Sequence, residues 1–140
     1  MFRRILFAHN ATPAAERALI YLEQMALDAE AEVIVLHVYE PPDRYTATAG
    51  YASLIEQFEA VAHEVVNDTV EYLQHAGVSA SGIVQADVSP SRAILEAAEE
   101  HDVSLIVLGT RGPSKFADIL LGDVSTEVLR HARRPVLLVP

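Results

Sequence analysis

The sequence predicts an α/β fold in which five parallel strands form one sheet with helices on both faces. Short runs of Val, Ile and Leu alternate along the chain with longer segments of helical periodicity. Several of these runs are apolar at every position, as in strands that are covered on both faces. The chain has 140 residues, which is the size of one domain, so we expect a single domain over residues 1–140.

Five apolar runs are the expected strands. They lie at residues 5–8, 33–38, 82–86, 105–108 and 136–139. The second, fourth and fifth runs show no alternation of apolar and polar side chains, which is typical of a parallel sheet. The third run is the weakest of the five.

The segments between the strands have the spacing of amphipathic helices. Thr12 and Ser89 are predicted N-caps, each followed by a proline at the first helical position. The second helix is expected over about residues 52–76 with a stop at Gly77, and the fourth begins near Gly122. The apolar residues that show this spacing are Leu19, Leu22, Met25 and Ala26 in the first helix; Leu54, Phe58, Val61, Val65 and Leu73, which form one stripe, in the second; Ile94, Leu95 and Ala98 in the third; and Val124, Val128 and Leu129 in the fourth.

The order β-α-β-α-β-α-β-α-β leaves two sheet topologies open. Right-handed crossovers allow the flavodoxin-like strand order 2-1-3-4-5 and the nucleotide-binding order 3-2-1-4-5. In both topologies, ligands bind at the carboxyl ends of the strands, where the winding of the sheet reverses.

The composition argues against several classes of function. The chain has 10 Lys and Arg against 20 Asp and Glu, a formal charge of −10, which disfavours a nucleic acid partner. It has no cysteine, which excludes thiol nucleophiles, disulfides and cysteine-based metal sites. No window has the ~20 apolar residues of a membrane span, and no targeting segment is visible. We therefore expect a cytoplasmic protein.

The segment after the fourth strand has the composition of a phosphate-binding loop. It contains three of the six glycines, Gly109, Gly112 and Gly122, together with Arg111 and the only lysine, Lys115. Glycine lets the main chain approach a ligand closely, and the N–H groups of a helix N-terminus suit an anion. The spacing alone fits equally well with glycines that only shape the connection between a strand and a helix.

The three glycines resemble the Gly-x2-Gly-x9-Gly-Ser/Thr signature of the universal stress protein family. The resemblance covers essentially the whole chain and includes residues 5–19, His37-Val38, Pro90-x3-Ile94 and residues 134–139. It implies a Rossmann-like fold, of the adenine nucleotide alpha hydrolase type, with strand order 3-2-1-4-5. It also implies ATP or AMP as a ligand, with or without Mg²⁺.

The resemblance further implies which residues contact the nucleotide. In ATP-binding members an aspartate ends the first strand, the main chain at the end of the second strand contacts adenine, and the glycine loop wraps the phosphates. The corresponding positions here are Asn10, Val38, Gly109, Arg111, Gly112, Gly122, Asp123, Val124 and Ser125.

Two of these positions depart from the family's pattern. Asn10 replaces the usual aspartate, and its amide can hydrogen-bond a ribose or a base but carries no charge. Asp123 replaces the usual serine or threonine, and three interpretations of it remain open. It caps the fourth helix and fills the anion position itself, it repels phosphate and weakens ATP binding, or it binds a Mg²⁺ that bridges to the phosphates.

Outside this loop the candidates are fewer. His9 and His37 lie near the ends of neighbouring strands, but no metal-site spacing is present, so no metal site is predicted from the protein's residues alone. No nucleophile motif stands out, and no catalytic residue is predicted.

The last strand and the resemblance together lead to a functional expectation. Residues 135–139 are apolar, and in the family's strand order they form a sheet edge, which favours a homodimer paired through that edge. We expect a dimeric, nucleotide-binding stress-response regulator with an unknown protein partner. The alternatives are a stress protein that binds no nucleotide and acts by protein–protein contact, and a weak ATPase.

Overall fold

Strands and helices alternate along the whole of the described chain. The computed structural model describes residues 1–41, 50–110 and 122–140. Its elements are β1 (Arg4–Ala8), α1 (Pro13–Ala29), β2 (Glu32–Tyr39), α2 (Tyr51–His75), β3 (Ser79–Ala86), α3 (Pro90–Glu100), β4 (Leu105–Gly109), α4 (Asp123–His131) and β5 (Val136–Val139).

The five strands form one parallel sheet with the order β3-β2-β1-β4-β5. This confirms the predicted α/β class and selects the nucleotide-binding order over the flavodoxin-like order. The strands β2 and β3 are added in turn on one side of β1, and the chain then crosses over so that β4 lies on the other side of β1. The winding therefore reverses between β1 and β4, and their carboxyl ends separate to leave a crevice.

The edge strand β3 is longer than the sequence predicts. It begins at Ser79, three residues before the expected start at Gly82, and pairs with β2 over its full length. Its first half consists of small and polar residues, because an edge strand with exposed positions does not require a continuous apolar run. The other four strands agree with the prediction to within one residue at each end.

Helices cover the sheet on both faces and create two layers of core. One layer lies between the sheet and the helices α1 and α2, and contains Ile5, Phe7 and Leu22. The other lies between the sheet and the helices α3 and α4, and contains Leu6 and Val128. Successive residues of β1 enter opposite layers, so the strand is buried on both sides, as its uninterrupted apolar sequence predicts.

The stripe with which α2 faces the sheet agrees with the expected one at Leu73 but not along the first half of the helix. Phe58 and Val61 are 37% and 59% exposed, whereas the buried residues of the helix are Ala62, Val66, Thr69 and Leu73. The reason lies in β3, where a Cβ on Gly82 would stand 2.2 Å from Cγ1 of Val66. The glycine admits Val66 against the strand and so fixes the rotation of the helix.

Among the helices of the described ranges, none is long and apolar enough to cross a membrane.

Candidate functional site

A cavity of about 300 Å³ opens at the carboxyl ends of β1, β2 and β4. It lies where the winding of the sheet reverses, which is the expected place for a ligand in this topology. One wall is apolar and the rim is polar. The wall consists of Ala8, Leu36, Val38, Pro90, Ile94 and Leu108, and the rim of His9, Asn10, Thr12, Gly109, Gly122, Asp123, Val124 and Ser125.

Gly109 is explained by the packing of α1. A Cβ at this position would stand 2.5 Å from the carbonyl carbon of Ala14 and 2.5 Å from the nitrogen of Ala15. No side chain is compatible with that distance, so the glycine lets the first turn of α1 press against the end of β4. The contact sets the width of the crevice on this side, and it requires no ligand.

The helix α4 begins at the cavity with an open N-terminus. Gly122 is its N-cap, with φ −76° and ψ 171°, and it provides no side-chain cap. The first intrahelical bond runs from the N–H of Thr126 to the carbonyl of Gly122, at 3.0 Å. Within the described residues, the N–H groups of Asp123, Val124 and Ser125 have no acceptor, so they are available to an anion in the cavity.

Asp123 occupies the first helical position rather than the cap. Its side chain is exposed at the rim and forms no hydrogen bond with any residue that the structure describes. The interpretation of Asp123 as the cap that fills the anion position is therefore wrong. Its negative charge still complements the positive end of the helix dipole.

Asn10 is held by the start of α1 and presents hydrogen-bond donors. Its Oδ1 accepts from the N–H of Thr12 at 3.2 Å and from the Thr12 hydroxyl at 2.6 Å. Because a main-chain N–H can only donate, the amide oxygen must be the atom that faces Thr12. The Nδ2 group and its two hydrogens then remain for the cavity.

His9 is a buried, neutral imidazole that holds the neighbouring residues of the rim in place. Its Nδ1 accepts from the N–H of Ala11 at 2.9 Å, so the ring proton lies on Nε2, which donates to Oε1 of Glu16 at 3.2 Å. Ala11 adopts φ +61°, an unusual conformation for a residue other than glycine, and this bond helps to hold it there. Burial lowers the pKa of His9 despite the opposing effect of Glu16, and His37 lowers it further.

The main chain of Val38 faces the crevice between β1 and β2. The N–H of His9 donates to the carbonyl of Leu36 at 2.9 Å, but the paired register of the two strands stops at Ala8 and Leu36. Main-chain groups of alternate residues in a strand point to the same side, so the N–H and C=O of Val38 point toward β1, as those of Leu36 do. They lie beyond the last ladder bond and border the cavity.

The structure brings together most of the site residues that the sequence predicts. Seven of the nine line the same cavity: Asn10, Val38, Gly109, Gly122, Asp123, Val124 and Ser125. Arg111 and Gly112, together with Lys115, lie outside the described residues.

Apart from Val38, sequence reasoning missed the apolar wall. Leu36 and Leu108 could have been found from their positions near the carboxyl ends of β2 and β4. Thr12 was assigned only as a helix cap, although it also reaches the rim.

The described residues contain no group of three or more His, Asp or Glu side chains that could hold a metal ion. A cation near Asp123 would therefore need further oxygen ligands from a bound molecule or from water.

Comparison with known proteins connects this site to one family. A model described as the universal stress protein family matches residues 1–140. A universal stress protein of Thermus aquaticus, from the QAH/OAS sulfhydrylase 3′ region, is 32% identical over 139 residues, which cover 99% of each chain. The universal stress protein YxiE of Bacillus subtilis is 32% identical over 148 residues, with the same coverage.

Solved structures agree on the fold. MJ0577 of Methanocaldococcus jannaschii superposes with a TM-score of 0.87 at 26% identity, over 99% of this chain and 96% of its own. A universal stress protein in complex with cAMP has a TM-score of 0.72 at 23% identity, over 99% and 96% of the two chains. One from Archaeoglobus fulgidus in complex with dAMP has a TM-score of 0.72 at 21% identity, over 100% and 98%.

Proposed function

The chain belongs to the universal stress protein family, and on that premise we propose that it binds an adenine nucleotide in the cavity at the ends of β1, β2 and β4. The proposed protein is a homodimeric stress-response regulator of the cytoplasm, with ATP or AMP as its ligand and a protein partner that receives the signal. The observation that carries the proposal is that two main-chain features without a partner among the described residues converge on one cavity. These are the edge of Val38 and the N-terminus of α4.

The apolar wall suits a flat base. Leu36, Ile94 and Leu108 present aliphatic side chains to a slot between the sheet and α3, and Val38 borders it with a donor and an acceptor of the main chain. Aliphatic side chains with a few fixed polar groups are the usual surroundings of a small organic ligand. The volume of about 300 Å³ lies at the lower end of the range for such sites.

The start of α4 suits the phosphate. Three N–H groups and the positive end of the helix dipole face the same cavity, and the buried hydroxyl of Ser125 lies among them. The Nδ2 group of Asn10 lies on the opposite rim, where it can donate to a ribose oxygen. Relatives of the same fold hold cAMP and dAMP, both adenine monophosphates, which supports this choice of ligand.

Titration calorimetry with AMP and ATP, with and without Mg²⁺, tests the proposal. We expect saturable binding, and mass spectrometry of freshly purified protein should detect an adenine nucleotide. Ser125→Val places methyl groups among the N–H groups of α4 and should weaken binding. Ser53→Val is the matched control, because it makes the same replacement at an exposed position of α2 that does not line the cavity. The absence of binding at millimolar AMP and ATP, in a folded protein, would reject the proposal.

The proposed homodimer pairs through residues 135–139. The strand β5 is an edge of the sheet, and Val136, Leu137 and Leu138 are only half-buried. The carbonyl of Pro135 accepts from Ile106 in β4, and that of Val139 accepts from Thr110 just after β4, so the main-chain groups of Val136 and Leu138 point outward. An uncovered apolar edge of this kind favours pairing with a second copy across a twofold axis.

Native mass spectrometry of two variants tests the dimer. Leu138→Pro removes an outward N–H without removing a bond to β4 and should yield monomers. Leu138→Ala loses more side-chain burial but keeps the N–H, so it should retain more dimer. Equal dissociation of the two variants would contradict pairing through the β5 edge.

One observation favours a second candidate function. The carboxylate of Asp123 stands at the mouth of the cavity, where it opposes a polyphosphate. A stress protein that acts by protein–protein contact without nucleotide would tolerate this charge. Nucleotide titration separates the two candidates directly.

A further inference from the structure

We propose that His37 is a positioning residue that ends the β1–β2 ladder one hydrogen bond early and thereby keeps the N–H of Val38 available to a ligand. The identity of that ligand, an adenine base, rests on the function proposed above. The role of His37 in the free protein does not depend on it.

The register of the two strands defines the missing bond. In a parallel ladder, the N–H of a residue donates to the carbonyl of the residue before its partner. The carbonyl of the same residue accepts from the N–H of the residue after its partner. His9 donates to the carbonyl of Leu36 at 2.9 Å, so its partner is His37, and its own carbonyl should accept from Val38. That bond is absent from the main-chain bonds of the described residues, and the strand pairing stops at Ala8 and Leu36.

The imidazole of His37 replaces the missing donor. Its Nδ1 lies 2.6 Å from the carbonyl oxygen of His9, the atom that Val38 would otherwise contact. A carbonyl oxygen can only accept, so Nδ1 carries the proton. Nδ1–H is present in one neutral tautomer and in the charged form of the ring, so a positive charge on His37 does not remove the bond.

The crevice stays open because the imidazole of His37, rather than the N–H of Val38, donates to the carbonyl of His9. If the carbonyl of His9 were left without the imidazole, it would be a partly buried acceptor beside the N–H of Val38, and the two would pair. The ladder would then extend by one bond and consume the donor that borders the cavity. With His37 in place, both polar groups of the Val38 main chain remain for a ligand.

Those two groups match one edge of adenine. The N–H of Val38 can donate to a ring nitrogen while its C=O accepts from the exocyclic amino group. Hypoxanthine presents a ring N–H and an exocyclic oxygen in these places, so it does not match. His37 therefore contributes to base selection without touching the base.

Amide hydrogen exchange of the free protein is the decisive measurement. His37→Leu frees the carbonyl of His9, and the amide of Val38 should become protected by roughly tenfold or more, as expected when it gains a hydrogen bond. His37→Asn places an amide N–H near the position of Nδ1 and should leave the exchange rate of Val38 unchanged. His37→Gln extends its amide beyond that position and should behave like His37→Leu, which supplies a second polar test if the leucine variant does not fold.

Binding of AMP and inosine monophosphate to the same variants completes the test. His37→Leu and His37→Gln should weaken AMP binding by roughly tenfold, the equivalent of one hydrogen bond, and reduce the preference for AMP over inosine monophosphate. Unchanged exchange of the Val38 amide in both variants would overturn the positioning role, even if AMP binds the wild type. Protection of that amide in a protein that binds no AMP would confirm the positioning role and reject the proposed function instead.

Discussion

Two of the helices that begin at the cavity, α1 and α4, differ in their N-termini: α1 has a side-chain cap, whereas α4 has none among the described residues. At α1, the hydroxyl of Thr12 accepts from the N–H of Ala15, and Pro13 has no N–H to satisfy. At α4, Gly122 provides no side-chain cap. A parallel sheet places several helix N-termini at the edge where ligands bind, and the capping residues decide which of them can hold an anion.

The first turns of α1 and α4 also differ in how tightly they pack against the rest of the protein. The first turn of α1 presses against Gly109, and the residues before it are held by Asn10 and the buried ring of His9. Among the described residues of α4, only Ser125 and Val128 are buried. The helix α1 is therefore the fixed side of the site, and α4 is its more exposed side.

The largest expected effect comes from displacing the fixed side. Gly109→Ala places a methyl group 2.5 Å from the main chain of α1, and a helix backbone cannot move aside as a side chain can. We expect the free energy of unfolding to fall by about 3 kcal/mol, at the upper end for overpacking. Urea denaturation measures it.

Gly50→Ala is the control for that substitution. Nothing lies within 4 Å of a Cβ at Gly50, and its φ of −88° suits alanine. Its stability should therefore stay close to that of the wild type. An equally stable Gly109→Ala variant would show that α1 is not fixed by this contact.

The buried ring of His9 should make the fixed side sensitive to acid. Burial lowers its pKa in the folded protein, so between that value and about 6.5 the unfolded chain binds more protons. The contribution of His9 to stability is complete above pH 6.5 and is lost as the pH falls through the lowered pKa. The slope is at most about 1.4 kcal/mol per pH unit.

His9→Asn isolates this effect, because Oδ1 can accept from Ala11 but does not titrate. The side chains of Glu16 and His37, which lie beside His9, are present in both proteins. The difference between the two unfolding free energies should change as the pH falls from 7.5 to 5.5. A constant difference would contradict a neutral, buried His9.

Removing the cap of α1 should have a smaller effect. Thr12→Ala loses the bond from the N–H of Ala15 and the hydroxyl bond to Asn10, but keeps the bond from its own N–H to Asn10. We expect a loss of about 1 kcal/mol in chemical denaturation. Thr12→Ser keeps the hydroxyl and should recover most of that loss. A full loss in Thr12→Ser would mean that the methyl group, rather than the cap, stabilises the helix.

The same contrast explains what could be predicted from the sequence. Thr12-Pro13 and Ser89-Pro90 gave the starts of α1 and α3 correctly, because capping is a local property of a few adjacent residues. The rotation of α2 was predicted wrongly, because it depends on Gly82 in another element. Tertiary contacts of this kind have no local signal.

The site follows the same rule. Gly109 was recognised by its spacing as part of a ligand loop, but the structure gives it a packing role that only the position of Ala14 reveals. Asp123 was a candidate cap because aspartate favours that position, but the N-cap of α4 is Gly122 and Asp123 is the first helical residue. The donor state of Asn10 required the coordinates of Thr12, since composition does not show which amide atom is occupied.

Asp123→Ser changes the more exposed side of the site, and we expect the smallest change from it. The carboxylate is exposed, so solvent screens its repulsion of a phosphate, and ATP binding without Mg²⁺ should tighten by only about threefold. AMP carries less charge and should gain less. Calorimetry of both ligands measures the difference, with Asp123→Asn as the control that removes charge without shortening the side chain to a hydroxyl.

Repeating these titrations with Mg²⁺ separates the two remaining interpretations of Asp123. If the carboxylate only repels phosphate, the cation screens the charge and the advantage of Asp123→Ser shrinks toward zero. If the carboxylate helps to hold a bridging Mg²⁺, both variants should bind ATP more weakly than the wild type when the ion is present. Weaker binding of both variants without Mg²⁺ would contradict either interpretation, because it would require the carboxylate itself to attract the ligand.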